Sequence, residues 1–508
     1  MDPITFASSS YSLAAGVLLV ILFIFLKKKS KRRVTLALPP GPPGWPIIGN
    51  IFQLGDKPHQ SLFLLAQKYG PLMTIKLGMQ TTLVVSSPSM VREVLKNNAQ
   101  SFSSRTINTV TRVFSYQGTS LFWSPYGPRW LLLRKICNTE IFSVRRLDAL
   151  QHLRRDEVFR TIGSILEDCK QGNSVKIGER AFMISLTIMG KMICGKKLFE
   201  VGSAQAAEFK SMVREALQLA GLPNLSDFFP FLERFDLQGL NSKANSLGRR
   251  FDNMFNIIIE ERLAQRTDIP IKYSDEVKDF LDVMLDLRED GTQLTLENIK
   301  ALLMDMFIAG IDTTSATIEW TMTELLRKPA LMRKVQEELD DVVGVERRME
   351  EADITNLPYL RAVVKEVFRL HPLAPLIIRR ADMSCEISGF LVPENTHVLV
   401  NAWAIGRDPS VWKDPLNFNP DRILESNIDY KGQDFELLPF GAGRRICLGL
   451  PLAHRLIHFV VGSLLQGFTW SIPMDNEAGI DMSETFGITL QKTVPLRAIP
   501  TPRNGIKF

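Results

Sequence analysis

The sequence predicts a helix-rich α+β fold with small peripheral β-sheets, preceded by one N-terminal transmembrane helix. Three observations predict it. From Ile4 to Leu26 no residue is charged, and from Ala14 onward the run is almost continuously apolar. Beyond Ser61 most windows carry apolar residues at helical spacing, while strand-like runs are short and confined to two places. Finally, 508 residues with 45% hydrophobic and 23% charged side chains exclude a disordered or fibrous chain and allow a large core with room for a bound group.

The apolar run is long enough to cross a ~30 Å hydrocarbon core at about 1.5 Å per helical residue. A cleaved signal peptide would carry its positive charge before the apolar stretch. Here the charge follows, as Lys27-Lys28-Lys29-Ser30-Lys31-Arg32-Arg33, and marks the cytoplasmic side. The expected organisation is a lumenal end at 1–3, an anchor at 4–26, a basic and Pro-rich linker at 27–46, and a body at 47–508. The Leu38–Pro46 stretch, with five prolines, reads as a stiff spacer that cannot be helical.

The chain holds 61 basic and 55 acidic residues, net +6, and setting aside the six basic residues of that run leaves 55 of each sign. A neutral body argues against a nucleic-acid partner. The five cysteines include no close pairs of the kind that hold zinc or build a disulfide framework, which fits a reducing compartment.

Along the body, Leu72–Leu77 and Thr82–Ser86 read as early strands, and Cys385–Ile387 and His397–Val400 as late ones. Helices are expected at Ser87–Leu95, opened by Pro88, and at Asn298–Arg327, Pro358–Leu370 and Leu450–Leu465. Gln171–Ser174 and Arg266–Ser274 are the weakest internal joints, neither long enough to force a domain boundary.

The most informative segment is Pro439–Gly449, where glycines permit close backbone approach and arginines flank a cysteine ahead of a helical pattern. Such a thiolate could serve as a nucleophile or as an axial metal ligand. Phe440, Gly443, Arg445, Cys447 and Gly449 match Phe-x-x-Gly-x-Arg-x-Cys-x-Gly. That pattern resembles the haem-binding loop of the cytochrome P450 superfamily. The resemblance implies that Cys447 is the proximal ligand of haem b iron and that the body is a haem-thiolate monooxygenase domain.

Further segments agree with the resemblance in order and spacing. Ala309-Gly310-Ile311-Asp312-Thr313 looks like the oxygen-activation motif, with Asp312 and Thr313 as a proton-delivery pair, and its glycine and hydroxyls suggest a local opening in the helix. Glu366 and Arg369, completed by Arg422, resemble a fold-locking trio behind the cysteine loop. Trp130 and Arg134 resemble a Trp-x-x-x-Arg helix that meets the haem propionates, with Arg380 and Arg445 as further partners and Arg379 as the alternative to Arg380. His454 and His458, four apart without a third ligand, read as packing residues.

Val400–Pro409, Asp434–Pro439 and Phe486–Lys492 look like plant endoplasmic-reticulum enzymes of the geraniol hydroxylase type. That likeness implies a small apolar substrate, foremost a terpenoid, faced by Phe307, Ala309, Ala374, Leu376, Phe486 and Ile488. It implies O2 as co-substrate and electrons from NADPH through NADPH-cytochrome P450 reductase. The protein would be single-pass in the endoplasmic-reticulum membrane with its catalytic domain cytosolic, so the sequon Asn224-Leu225-Ser226 would stay bare. Phenolic, flavonoid or alkaloid substrates remain open, as do a haem-thiolate isomerase or dehydratase and a non-catalytic lipid-binding membrane protein.

Overall fold

In the computed structural model, which describes residues 37–268, 278–291, 294–473, 479–503 and 505, the helical periodicity resolves into long helices around one buried centre. The principal ones are α1 (Pro128–Glu140), α2 (Gln151–Lys170), α3 (Ile177–Cys194), α4 (Ala204–Gly221), α5 (Leu240–Asp268), α6 (Leu296–Arg327), α7 (Pro329–Val342), α8 (Pro358–Leu370) and α9 (Leu450–Gly467). The expected anchor at 4–26 and the basic run lie outside the described residues.

Helix α6 is the axis of the fold. It starts at a capping box in which the Thr295 side chain accepts from the Asn298 N–H and Asn298 Oδ1 accepts from the Thr295 N–H. It packs against α3, α4, α8 and α9 and is buried along most of its length, with Phe307, Ile311, Ile318 and Trp320 fully enclosed. Among the described residues it alone is long and apolar enough to cross a membrane, and its burial makes it a core helix instead. Pro128, Pro329 and Pro358 each open a helix at the first position, where a missing N–H goes unnoticed.

The two early strands meet one of the late ones, and a strand not read from the sequence, in one sheet: β1 (Leu72–Leu77), β2 (Gln80–Val85), β3 (Leu376–Arg380) and β4 (His397–Asn401), in the order β1-β2-β4-β3, while Cys385–Ile387 pairs apart from it with Phe390–Val392. Strands β1 and β2 form an antiparallel hairpin, β2 runs parallel to β4 with Val85 beside Val400, and β3 is antiparallel to β4 with Arg380 opposite His397. A second sheet joins Val175–Lys176, Arg497–Pro502 and Phe468–Ser471. A hairpin pairs Glu484–Thr485 with Gln491–Lys492, leaving 486–490 as its loop.

Two local expectations are refined. The Pro-rich stretch is no free spacer in its described part: Thr74 N–H donates to Pro40 O at 2.9 Å, and Asn50 Nδ2 to Pro42 O and Pro43 O, so it is laid against β1. Nor does α6 open at its Ala-Gly-x-Asp-Thr segment. Its helical backbone is continuous, because the Thr313 and Thr314 hydroxyls fold back onto Ala309 O and Gly310 O without displacing the ladder.

Candidate functional site

The cysteine loop enters between β-sheet and α9 on a backbone that only glycine allows. Gly443 has φ +69°, and a Cβ there would stand 2.2 Å from Leu95 O. The loop closes when the Cys447 N–H donates to Phe440 O at 3.0 Å, three residues before α9 begins. Phe440 braces it from behind, edge-on to Phe368 of α8 at 5.2 Å and tilted on Tyr430 at 5.4 Å.

Cys447 retains accessible surface, yet enough protein surrounds it that burial raises its thiol above the ordinary range, against backbone N–H groups of Gly449 and Leu450 and the charges of Arg105 and Arg134. Both statements hold for a sulfur on the wall of an interior cleft. Cys137 and Cys194 are sealed in the core, the latter pushed up to about 12 by burial. The stabilised thiolate expected from neighbouring arginines is therefore offset by lost solvation.

Around that sulfur lie more guanidinium groups than the protein neutralises. Arg445 is buried and donates to the carbonyls of Ser103, Phe122 and Ser124. Arg379 is 2% exposed and held down to about 9 by burial and by Arg445, while burial and the Arg134 charge, opposed by Asp382, bring Arg445 to about 10. Arg105, which the sequence did not single out, is pushed well below its usual value by burial, Arg379 and Arg445, and its buried Nε makes no hydrogen bond. Arg134 donates to Ile446 O, and the Trp130 ring lies under both Arg134 at 5.2 Å and Arg445 at 4.7 Å. Trp130 Nε1 is taken by Leu121 O at 3.0 Å.

The pleat of β3 distinguishes the two neighbouring arginines. Arg379 points inward with Ile377, whereas Arg380, the residue first named from the sequence, turns out to pair with Asp382 at 3.3 Å. Arg379 is thus the member that joins the cluster, while Arg380 keeps a buried Nε without a hydrogen bond beside it. Ser104 bridges to Arg380, which sets Arg105 beside it.

The opposite wall is a stripe on α6. Asp305 Oδ2 accepts the Phe122 N–H at 2.9 Å and is raised to about 7 by burial, against the loop N–H groups and Arg105. Ala309 and Thr313 follow at four-residue steps on the same side, and Ala309 is exposed in the middle of this otherwise buried helix. Asp312, one residue round, turns away: it is buried, accepts from Gln491 Nε2 at 2.8 Å, and is raised by burial despite Gln491, Arg214, Lys210 and Thr489. Gly310 lets Met189 of α3 approach, a Cβ there meeting its Cε at 3.1 Å.

Other residues read from the sequence fall into place around these walls. Phe307 is fully buried against Phe209 and Phe255 at 6.1 and 6.2 Å, so it backs the wall as a core side chain. Phe486 stacks on His59 at 5.4 Å, Ile488 lies against the core, and Ala374 and Leu376 are half-buried at the start of β3. His458 and His454 are packed beside Tyr430, whose hydroxyl meets His454 Nδ1 at 2.5 Å.

Glu366, Arg369 and Arg422 do converge. Arg369 reaches both Glu366 oxygens at 2.7 and 2.8 Å, and Arg422 Nε reaches Oε1 at 3.1 Å. The two arginines also bind the carbonyls of Gly406, Pro415 and Asn417 and of Lys413, Asp414 and Asn417, respectively, pinning the 413–419 segment.

Residues 39–496 match the family model described as Cytochrome P450. The chain belongs to the cytochrome P450 family. It is 44% identical to a geraniol 8-hydroxylase of Catharanthus roseus over 486 residues, 94% of this chain and 96% of the relative. It is 41% identical to a flavonoid 3'-monooxygenase of Petunia hybrida over 507 residues, 96% of this chain and 97% of that one. A zebra fish cytochrome P450 solved with progesterone shares the fold at a TM-score of 0.75 and 28% identity, covering 88% of this chain and 99% of that one.

Membership in the cytochrome P450 family makes the protein an oxidoreductase of the monooxygenase type, with a thiolate-ligated haem and O2 as its chemistry. The cleft residues fit that group. A dianionic porphyrin side would neutralise the buried surplus of Arg105, Arg379 and Arg445 and give Arg105 Nε a partner, which no described side chain supplies.

Proposed function

We propose that the protein hydroxylates a small apolar plant metabolite, a terpenoid of the monoterpene-alcohol class, with electrons from NADPH delivered by NADPH-cytochrome P450 reductase. The observation that carries this reading is an accessible cysteine sulfur beside a buried cluster in which guanidiniums outnumber carboxylates, in a chain so similar to a geraniol 8-hydroxylase. Cys447 would ligate the haem iron, with Arg105, Arg134, Arg379 and Arg445 holding its propionates. The bound haem supplies oxygen activation by a thiolate-ligated iron.

What the chain's own residues contribute is positioning and proton supply. Ala309, exposed on the otherwise buried α6, leaves room beside it, and Phe486, Ile488, Ala374 and Leu376 offer an apolar surface that binds by shape. Asp312, its carboxyl raised by burial, keeps a proton to higher pH than an ordinary aspartate and can pass it toward the adjacent Thr313 hydroxyl. Arg214 and Lys210 of α4 face Asp312 and connect it toward the outside.

The substrate assignment is tested with the holoenzyme and reductase in membranes: geraniol is expected to give an NADPH-dependent hydroxylated product. Absence of that product, with turnover of a flavonoid in the same preparation, would overturn it in favour of the activity suggested by the Petunia relative. For the proton pair, Thr313→Ala should keep haem and substrate binding while product per NADPH consumed falls about tenfold or more and peroxide rises. An unchanged ratio removes Thr313 from proton delivery.

Localisation in the endoplasmic-reticulum membrane, with a cytosolic body, rests on the 4–26 span and the basic run after it. An exposed apolar surface of Trp45, Ile47, Met79 and Phe231 supports a membrane-facing side, joined through the Gly49–Leu77 bridge and the Met79 N–H to Phe228 O bond. A chain lacking residues 1–33 is expected to lose most membrane association in a flotation assay and to keep its haem spectrum. Full retention in the membrane fraction would refute the anchor. Asn224 is 3% exposed in the folded body, with its Oδ1 capping the Ser226 N–H, consistent with a sequon left bare.

A further inference from the structure

We infer that His371 is a positioning residue that clamps the hairpin loop 486–490 to the core helix α6, and so fixes the apolar surface presented by Phe486 and Ile488. The inference rests on the reading of that loop as part of the substrate wall.

His371 directly follows α8, two residues after Arg369 of the buried trio, and its N–H closes the helix on Val367 O at 2.7 Å. Its ring lies flat on Trp320 of α6, centroids 4.1 Å apart and planes 7° from parallel. Its Nε2 stands 2.8 Å from Glu324 Oε1, on α6, and its Nδ1 3.3 Å from Glu484 Oε1, at the base of the hairpin. The ring nitrogens stand within hydrogen-bond reach of two carboxyl groups at once, one on α6 and one on the hairpin. The imidazole thus bridges two buried acids that would otherwise repel each other.

The acids register the bridge. Burial, the largest influence, pushes Glu324 and Glu484 up, but the hydrogen bond and charge of His371, together with the other groups facing them, hold both below the ordinary carboxylate range. Arg327 and Lys328 assist at Glu324, and Arg407 and His59 at Glu484, while Lys492 stands 5.6 Å from the Trp320 ring. Further ties on the loop are Ile488 N–H to Leu217 O at 3.1 Å, Leu490 N–H to Leu373 O at 2.7 Å, the Phe486 ring stacked on His59 at 5.4 Å, and, at its end, Gln491 to Asp312. Close approach to α4 leaves no slack, for a Cβ on Gly221 would stand 2.3 Å from the Gly487 carbonyl carbon. The hairpin is therefore tied to α6 at Asp312, through Gln491, and at Glu324, through His371, with Lys492 standing over the Trp320 ring between them.

The test compares wild type, His371→Phe and Glu484→Gln as haem-loaded full-length proteins. His371→Phe keeps a ring on Trp320 but removes both donors; Glu484→Gln preserves shape and removes one charge from the hairpin side. Amide hydrogen exchange across 485–490 is expected to quicken about tenfold in His371→Phe and less in Glu484→Gln, with exchange in α9 unchanged. Geraniol, the probe ligand, should bind about tenfold more weakly by its optical shift, with an altered product ratio. Should His371→Phe fail to fold, Glu484→Gln decides alone. Unchanged exchange at 485–490 overturns the clamp. A loosened loop with unchanged geraniol affinity and product ratio overturns the substrate role of the loop, and with it the positioning role of His371; failure of wild type to bind geraniol while exchange responds counts against the proposed substrate only and supports the clamp.

Discussion

Replacing Cys447 by serine is expected to abolish the thiolate-type absorption band of the reduced carbon monoxide complex together with all NADPH-dependent product. The other four cysteines cannot substitute. Cys137 and Cys194 are sealed in the core, and Cys169 and Cys385 sit partly covered on α2 and on a short outlying strand. A serine hydroxyl at 447 fits the same loop, because the closing bond from the residue 447 N–H to Phe440 O is made by backbone. The loss would be of ligation and not of folding: a hydroxyl ionises far less readily than a thiol and is a poorer anionic donor to iron. An intact band in Cys447→Ser would remove Cys447 as the ligand.

The parts of this site legible in the sequence are those whose chemistry demands fixed residue types at fixed offsets. Gly443 is dictated by the Leu95 carbonyl pressed against it, and Cys447 by the loop that closes on Phe440, so both stand out as spacing. Long helices were legible for the same reason: α8 occupies the predicted Pro358–Leu370, and α6 begins two residues before the predicted Asn298 because the Thr295 cap lies upstream of the apolar pattern.

What the sequence concealed depends on tertiary approach. Arg105 carries no local signal; the bridge from Ser104 to Arg380, 276 positions apart along the chain, brings it into the cluster. Which of Arg379 and Arg380 faces inward turns on the pleat of a strand whose register is set by β4. Asp305 carries no signal of its own, because its partner, the Phe122 N–H, belongs to a loop with no regular structure. Phe307 illustrates the converse, since an aromatic beside a functional motif on a helix can as readily face Phe209 and Phe255 as the cleft.

The second large effect is expected behind the cleft, at Glu366. Glu366→Gln should sharply reduce the yield of folded, haem-containing protein and lower its thermal midpoint. Glu366, Arg369 and Arg422 form a buried set in which one carboxylate answers two guanidiniums, and the Glu366 and Arg369 side chains are 0% exposed. Removing the single anion leaves two cations facing carbonyl groups alone, and breaking a buried pair in this way costs about 3–5 kcal/mol. Set against a total stability of about 5–15 kcal/mol, that is enough to unfold a large share of the chain. The damage would spread to function because Arg369 and Arg422 hold the 413–419 segment through its carbonyls, and Asn419 N–H is itself bound to Glu366 Oε1 at 2.9 Å. His371, two residues beyond Arg369, would lose its footing at the same time. Arg422→Lys should be milder: the Arg422 side chain is 11% exposed, so an ammonium can keep one contact to Glu366 and find water for the rest. Equal midpoints for wild type and Glu366→Gln would show that the trio carries no net stability, and a larger loss in Arg422→Lys than in Glu366→Gln would place the structural weight on the 413–419 carbonyls instead of on the buried charge.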